Sequence, residues 1–232
     1  MEEQTRLIEN WFTRKIKASS FLVTAALVLL LFGLSFYDWL SPHSLSVSYD
    51  LAFSKHQYWK LWSALFSHGD MGHLLGNALL FIPFALLLTG YFNLTLFPVL
   101  GFILGGVINA LTLDTMLPET QLLGISGVVN WMGAVWLTLF FLVDRRSNWR
   151  RRFSVALFST LVLFAPQEFK PDVSYMAHII GFGMGILTGI IYYLIHRKVF
   201  LAAEVYEALR EPEETFMTLP NEVADANFTQ NH

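Results

Sequence analysis

What most limits the fold of this chain is the grouping of its apolar residues. They collect in long blocks of about twenty residues, the length at which a helix crosses the hydrocarbon layer of a bilayer. Of the 232 residues, 54% are hydrophobic and only 14% are charged, whereas a soluble domain carries about a quarter charged. The blocks therefore read as membrane spans rather than as pieces of one large core. Six are expected, over 19–40, 71–88, 92–113, 126–143, 153–166 and 175–195. The fifth is short for a span. The expected fold class is an all-α membrane protein with six transmembrane helices.

Charge divides the remainder. Residues 1–18 form a basic leader with Arg14, Lys15 and Lys17. The first block is too long for a signal-peptide core and no A-x-A site follows it, so it is expected to stay as a helix. Residues 19–196 are the bundle, and 197–232 are an acidic tail, partly disordered, with disorder expected after Pro212. The start of the tail reads as a short amphipathic helix with Ala203, Val205, Ala208 and Leu209 on its apolar face. Six spans place the leader, the Arg145–Arg152 cluster and Arg197, Lys198 and Arg210 on one side, against Lys55, Lys60 and Lys170 on the other. Positive-inside bias then puts both termini in the cytoplasm. The fifth span is needed for this, because without it His178 and the arginine cluster share a side. The net charge of −3 argues against a nucleic-acid partner. The absence of cysteine excludes thiol chemistry, disulfides and thiolate metal ligands.

Polar, proton-transferring side chains are costly in a bilayer and usually mark function. Ser126 opens the fourth block within Gly124-Ile125-Ser126-Gly127, and His178 stands near the start of the sixth. At matching depths they suggest a nucleophile and its base. His73 and Asn77, four apart at the head of the second block, share a helix face. Both can donate to an oxyanion, as can the Ser126 backbone N–H in the first turn of its helix. Asp70 reads as a helix N-cap. His68 reads as a local structural residue at the boundary, with lining a water path or binding substrate as the alternatives. Gly181, Gly185 and Gly189 recur every four residues, a stripe that lets another helix approach closely. Gly127 and Gly133 are the expected facing positions.

At this point the chain resembles the rhomboid intramembrane serine proteases. Gly124-Ile125-Ser126-Gly127 is similar to their GxSG, His73-Leu74-Leu75-Gly76-Asn77 to their HxxxN, and Ala177-His178 with Gly181, Gly185 and Gly189 to their AHxxGxxxGxxxG. The joint order, on the second, fourth and sixth spans, is what makes the likeness specific. It covers residues 59–195 and is nearest the basic six-helix bacterial form. The resemblance implies a rhomboid-like bundle and a serine endopeptidase with a Ser126–His178 dyad and no third acid. It implies an oxyanion hole of His73, Asn77 and the Ser126 N–H, with Gly124, Gly127, Gly181 and Gly185 packing the helices. No cofactor and no metal are implied. Partners are transmembrane protein substrates and the lipid bilayer, in a bacterial inner membrane. The sequence does not specify an oligomeric state.

The resemblance also implies a partly embedded first loop, with Tyr58 and Trp59 at the interface. The fifth span and the loop around 164–173 would form a lateral gate and cap. Two positions depart from the family pattern. Asn130 stands where relatives carry an aromatic against the catalytic imidazole, and its amide could hydrogen-bond the His178 ring instead. Trp59-Lys60 replaces Trp-Arg, which keeps the charge but loses the planar fork and predicts weaker loop anchoring. Three other readings compete. An inactive rhomboid-like binder of transmembrane helices disagrees with the intact Ser126 and His178. A metalloprotease built on His68, His73 and His178 lacks HExxH spacing. A transporter would show matching broken helices in two halves, which are not found.

Overall fold

The computed structural model describes residues 5–164 and 174–208. Its long elements are helices: α1 (Ser19–Leu40), a short α2 (Lys60–Ser63), α3 (Met71–Tyr91), α4 (Gly101–Leu113), α5 (Ser126–Val143), α6 (Trp149–Phe164) and α7 (Tyr175–Leu201). Five segments are long and apolar enough to cross a membrane, namely α1, α3, Thr95–Leu113, α5 and α7. Helix α6, at 16 residues, falls short of that length. The segment expected at 153–166 is thus helical as far as Phe164, and Pro166 lies outside the described residues.

α5 is the central helix. Most of it is buried, including Trp131, Met132, Val135 and Leu139. α7 lies along it through the glycine stripe. A Cβ on Gly181 would overlap the carbonyl oxygen of Gly127, one on Gly185 would meet the Trp131 carbonyl, and one on Gly189 would stand 2.8 Å from Thr138 Cβ. Such contacts leave room for hydrogen only. The Trp131 indole N–H adds a hydrogen bond across the pair to Thr188 Oγ1, at 3.1 Å. Gly133, expected on this seam, is elsewhere: a Cβ there would overlap the Phe164 ring of α6. The helical period explains this, since 127, 131, 134 and 138 follow one stripe and 133 points away from it.

The third span departs from its expected start. Residues Thr95–Leu100 form a wide turn with Phe97 extended and Pro98 within it, and the regular helix begins only at Gly101. Pro98 has no N–H to give to a helical ladder. The sixth span runs past its expected end, through Arg197 and Lys198 to Leu201.

At one end of the bundle the segments before α1 and after α7 meet. Strand β1 (Thr5–Glu9) pairs antiparallel with β2 (Val205–Ala208), Arg6 opposite Glu207. The expected amphipathic helix at the start of the tail is therefore a strand. Tyr206, Glu207 and the Arg145–Glu204 ion pair explain the change: extended backbone lets Glu204 receive the Arg145 guanidinium at 2.8 and 2.5 Å and the Tyr206 hydroxyl at 2.8 Å. Leu209 and the residues after Pro212 lie outside the described residues. Asn10 binds Asp144 at 2.7 Å, the Trp11 indole N–H donates to the Tyr91 carbonyl, and Lys17 donates to the Phe92 carbonyl. The leader is thus fastened to the ends of α3 and α5. Hydrogen bonding to Arg146 holds the Asp144 carboxyl below the usual carboxylate range, with help from Asn10.

At the other end, residues 41–66 fold into a compact loop. Val47 and Leu122 exchange backbone hydrogen bonds, and Val47, Ala52, Leu61, Ala64, Leu113 and Leu122 form a small core of their own. Lys60 is buried and donates to the Ser44 and Ser46 carbonyls at 2.7 and 3.2 Å. A lysine thus ties this loop from inside. Tyr58 and Trp59 are exposed, 48% and 57%, as side chains at an interface should be.

Candidate active site

Helix α3 opens at Asp70, whose Oδ1 accepts the His73 backbone N–H at 2.8 Å. The cap reading of Asp70 holds. It fixes the first turn, and the helical period then sets His73 and Asn77 on one face. That face looks at Gly124. A Cβ on Gly124 would stand 2.9 Å from His73 Cε1 and Nε2 and 3.7 Å from Asn77 Nδ2. Gly124 also has φ +104°, and its N–H donates to the Ala64 carbonyl at 2.9 Å. Glycine is required here twice over, by backbone conformation and by the imidazole above it.

Two residues later Ser126 begins α5, half-buried, with no side chain capping the helix start. The first-turn N–H groups of α5 have no partner within their own helix. Across the seam, the Ala177 carbonyl oxygen lies 3.3 Å from where a Cβ on Gly127 would be. The residue after Ser126 and the residue before His178 thus face each other, with little room for a side chain at 127. His178 is half-buried, with the Tyr175 ring edge-on at 6.0 Å.

Asn77 is 8% exposed, and its Nδ2 is buried with no hydrogen-bond partner among the described residues. An unused buried donor costs about 1–3 kcal/mol, so its retention calls for a reason. Asn130 does not follow the sequence expectation: its Nδ2 donates to the Ser126 carbonyl at 2.9 Å, one turn back along its own helix. A short amide reaches the i−4 carbonyl readily, and that N–H is not spent on the His178 ring.

His68 is buried, 2% exposed, rather than facing water. Its Nδ1 lies 3.0 Å from Ser35 Oγ, the Trp39 indole N–H donates to its carbonyl at 2.5 Å, and its ring stands edge-on to His73 at 5.0 Å. Burial, and secondly the neighbouring His73, push its pKa down to about 4. It is a neutral imidazole that backs the ring of His73. Sequence reasoning missed the acid that organises this region. Asp38, at the end of α1, accepts the Leu45 N–H at 2.6 Å and the Ser67 hydroxyl at 2.5 Å. A lone carboxylate in an otherwise apolar block was the available signal. Tyr175 was also passed over, although the i, i+3 spacing to His178 places it on the same face. Among the described residues no three histidines or carboxylates converge as a metal-ligand set.

Five apolar segments long enough to cross a membrane, with α5 central among them and polar side chains gathered at one end, define a multi-pass membrane protein surrounded by lipid. The family model of the Rhomboid domain matches residues 55–195, more than half of the chain. The chain belongs to the rhomboid family, whose members are usually intramembrane serine proteases and include inactive homologues. No curated protein matches the chain.

Proposed function

We propose that this protein is an intramembrane serine endopeptidase that cleaves membrane-anchored helices near the outer face. The observation that carries this reading is the buried Nδ2 of Asn77, without a partner among the described residues, beside Gly124 and two residues from Ser126. A structural asparagine would have its donor satisfied. A donor kept free next to a serine is what a developing oxyanion needs.

In this mechanism His178 takes the Ser126 hydroxyl proton as Oγ attacks the scissile carbonyl carbon. The carbonyl oxygen becomes an oxyanion, held by His73, Asn77 and the Ser126 N–H. His178 returns the proton to the leaving amine, and the peptide bond breaks. Water, deprotonated by His178, then hydrolyses the acyl-enzyme and frees Ser126. The close α5–α7 contact at Gly127 and Gly181 supports the pairing of the two groups. A substrate helix must unwind locally, since its peptide bonds are otherwise closed in i to i−4 hydrogen bonds. Water reaches the reaction through the polar mouth formed by His73, Asn77 and Ser126.

The same reading assigns six spans, with α6 as the short fifth, and both termini in the cytoplasm of a bacterial inner membrane. The leader 1–18, bundle 19–196 and acidic tail 197–232 are its three parts. The gate and cap expected around 164–173 lie outside the described residues beyond Phe164.

The test uses purified protein in liposomes with a generic transmembrane substrate and a fluorophosphonate probe. Wild type should cut and label. Ser126→Ala should do neither, and His178→Ala should lose both within the detection limit while keeping its unfolding midpoint. Chelator should change nothing. A folded wild type that retains the substrate helix but neither labels nor cuts would instead identify a binder.

A further inference from the structure

At the end of the bundle opposite Ser126 there is a second polar site. α5 has 18 residues, so at 1.5 Å per residue this end lies about 27 Å from the serine. A cleft of about 460 Å³ opens there between strand β1, the α5–α6 turn and the first turns of α6. Among the described residues, Arg6, Arg146, Arg151 and Arg152 line it with Asp144 as the one carboxylate, a net +3.

The commitments of these groups are unequal. Arg146 is bound to Asp144 through Nε and Nη2 at 2.8 and 2.9 Å, and Asn10 takes Asp144 Oδ1 as well. That carboxylate is thereby spent. Arg152 gives Nη1 to the Phe141 carbonyl at 2.5 Å, but its Nε is buried with no partner among the described residues. Arg6 and Arg151 are exposed. Glu207 faces Arg6 in the strand register but is not part of the cleft wall. The other wall is apolar, with Leu7, Phe140 and Val155. Phe140 lies in the span of α5 and Val155 faces outward from α6. The cleft is therefore basic towards the aqueous end and apolar towards the hydrocarbon.

We infer that this cleft binds a phosphate ester anion, with Arg6, Arg151 and Arg152 as its ligands. Guanidinium forks match phosphate oxygens, and the unpartnered Arg152 Nε gains an acceptor. The two-faced lining points to an anionic phospholipid of the adjacent leaflet as the source, its headgroup on the arginines and its chains along Phe140 and Val155. A soluble phosphate ester shares the headgroup chemistry but not the apolar wall.

Full-length protein in a nonionic detergent is titrated with phosphatidylglycerol, phosphatidylcholine or inorganic phosphate, with bound equivalents counted by native mass spectrometry. Phosphatidylglycerol should bind as one saturable equivalent in preference to phosphatidylcholine. Each lost charge-assisted contact should weaken binding about tenfold. The double variant Arg6→Gln/Arg151→Gln is therefore expected to lose about a hundredfold. Ser147→Trp, which fills the cleft and keeps every charge, should lose the bound lipid too, and serves if the arginine variant folds poorly. Arg150→Gln, outside the cleft wall, should bind as wild type. Inorganic phosphate binding as strongly as the lipid, and lost in the same variants, would keep the anion site and assign it to soluble esters. Lipid binding unaffected by both cleft variants, or equally reduced by Arg150→Gln, would overturn the inference in favour of diffuse attraction.

Discussion

Replacing Gly181 with alanine tests the geometry on which the proposed catalytic pair depends. The added Cβ would overlap the Gly127 carbonyl oxygen and lie 2.9 Å from its carbon and 3.3 Å from Gly127 Cα. Carbon atoms rest at about 3.5–4.0 Å from one another. The obstacle is backbone, not a rotatable side chain, so α5 and α7 must part by on the order of 1 Å. Overpacking of this kind costs about 1–3 kcal/mol. A displacement of about 1 Å at a catalytic pair lowers turnover on the order of a hundredfold. Gly183, two residues along the same helix, is the internal control, because nothing lies within 4 Å of its would-be Cβ. Gly183→Ala should be neutral or up to about 1 kcal/mol stabilising, from helix propensity alone. The assay measures cleavage of a transmembrane substrate in proteoliposomes, fluorophosphonate labelling of Ser126, and the unfolding midpoint of each variant. If Gly181→Ala cleaves and labels like Gly183→Ala at an unchanged midpoint, the Gly127–Gly181 contact does not set the distance between Ser126 and His178, and the reasoning fails.

Asn77→Ala should lower kcat by about a hundredfold to a thousandfold, yet leave the unfolding midpoint unchanged or raised, since the donor removed has no partner among the described residues; a large loss of stability would make Asn77 a structural residue. Asp38→Ala strips the acceptor from Leu45 N and Ser67 Oγ and should destabilise by about 1–3 kcal/mol, with protease accessibility of residues 41–66 rising as the readout. Acid should weaken the fold through His68. Its folded pKa of about 4 lies below the ordinary 6.5, so between those values the unfolded chain binds the proton and the native state does not. The stabilisation is full above pH 6.5 and fades as pH falls towards 4, by about 3 kcal/mol in all. A pH series of unfolding midpoints checks it, and His68→Gln should flatten the slope.

The helices of this protein were legible because their lengths and their solvent are imposed together. α1 and α5 run between the very residues at which the apolar blocks begin and end, 19–40 and 126–143. Boundaries failed where a local feature acted against composition. Pro98 delays α4 to Gly101, and α7 passes through Arg197 and Lys198 because basic side chains at a helix end reach water without ending the helix. That His73 and Asn77 share a face was readable from spacing, since a cap at Asp70 and one helical period suffice to place them; that this face meets Gly124 was not. The orientation of Asn130 was not either, because a short amide can turn back to its own i−4 carbonyl, as here, or outward, and the sequence does not rank the two. Nor was β2 readable: four residues of mixed polarity become a strand only because β1, some 200 residues away, is brought beside them.

That last pairing has a consequence in time. β1 leaves the ribosome some 200 residues before its partner β2. At about 5–20 residues per second, β1 waits on the order of 10–40 s for its partner. Until then the leader has only the bundle to hold it, first through Trp11 and Lys17 on the end of α3 and, once α5 is made, through Asn10 on Asp144. The two-stranded clasp thus closes only on a chain whose last helix has been made, and a nascent chain stopped within α7 presents its β1 edge unpaired.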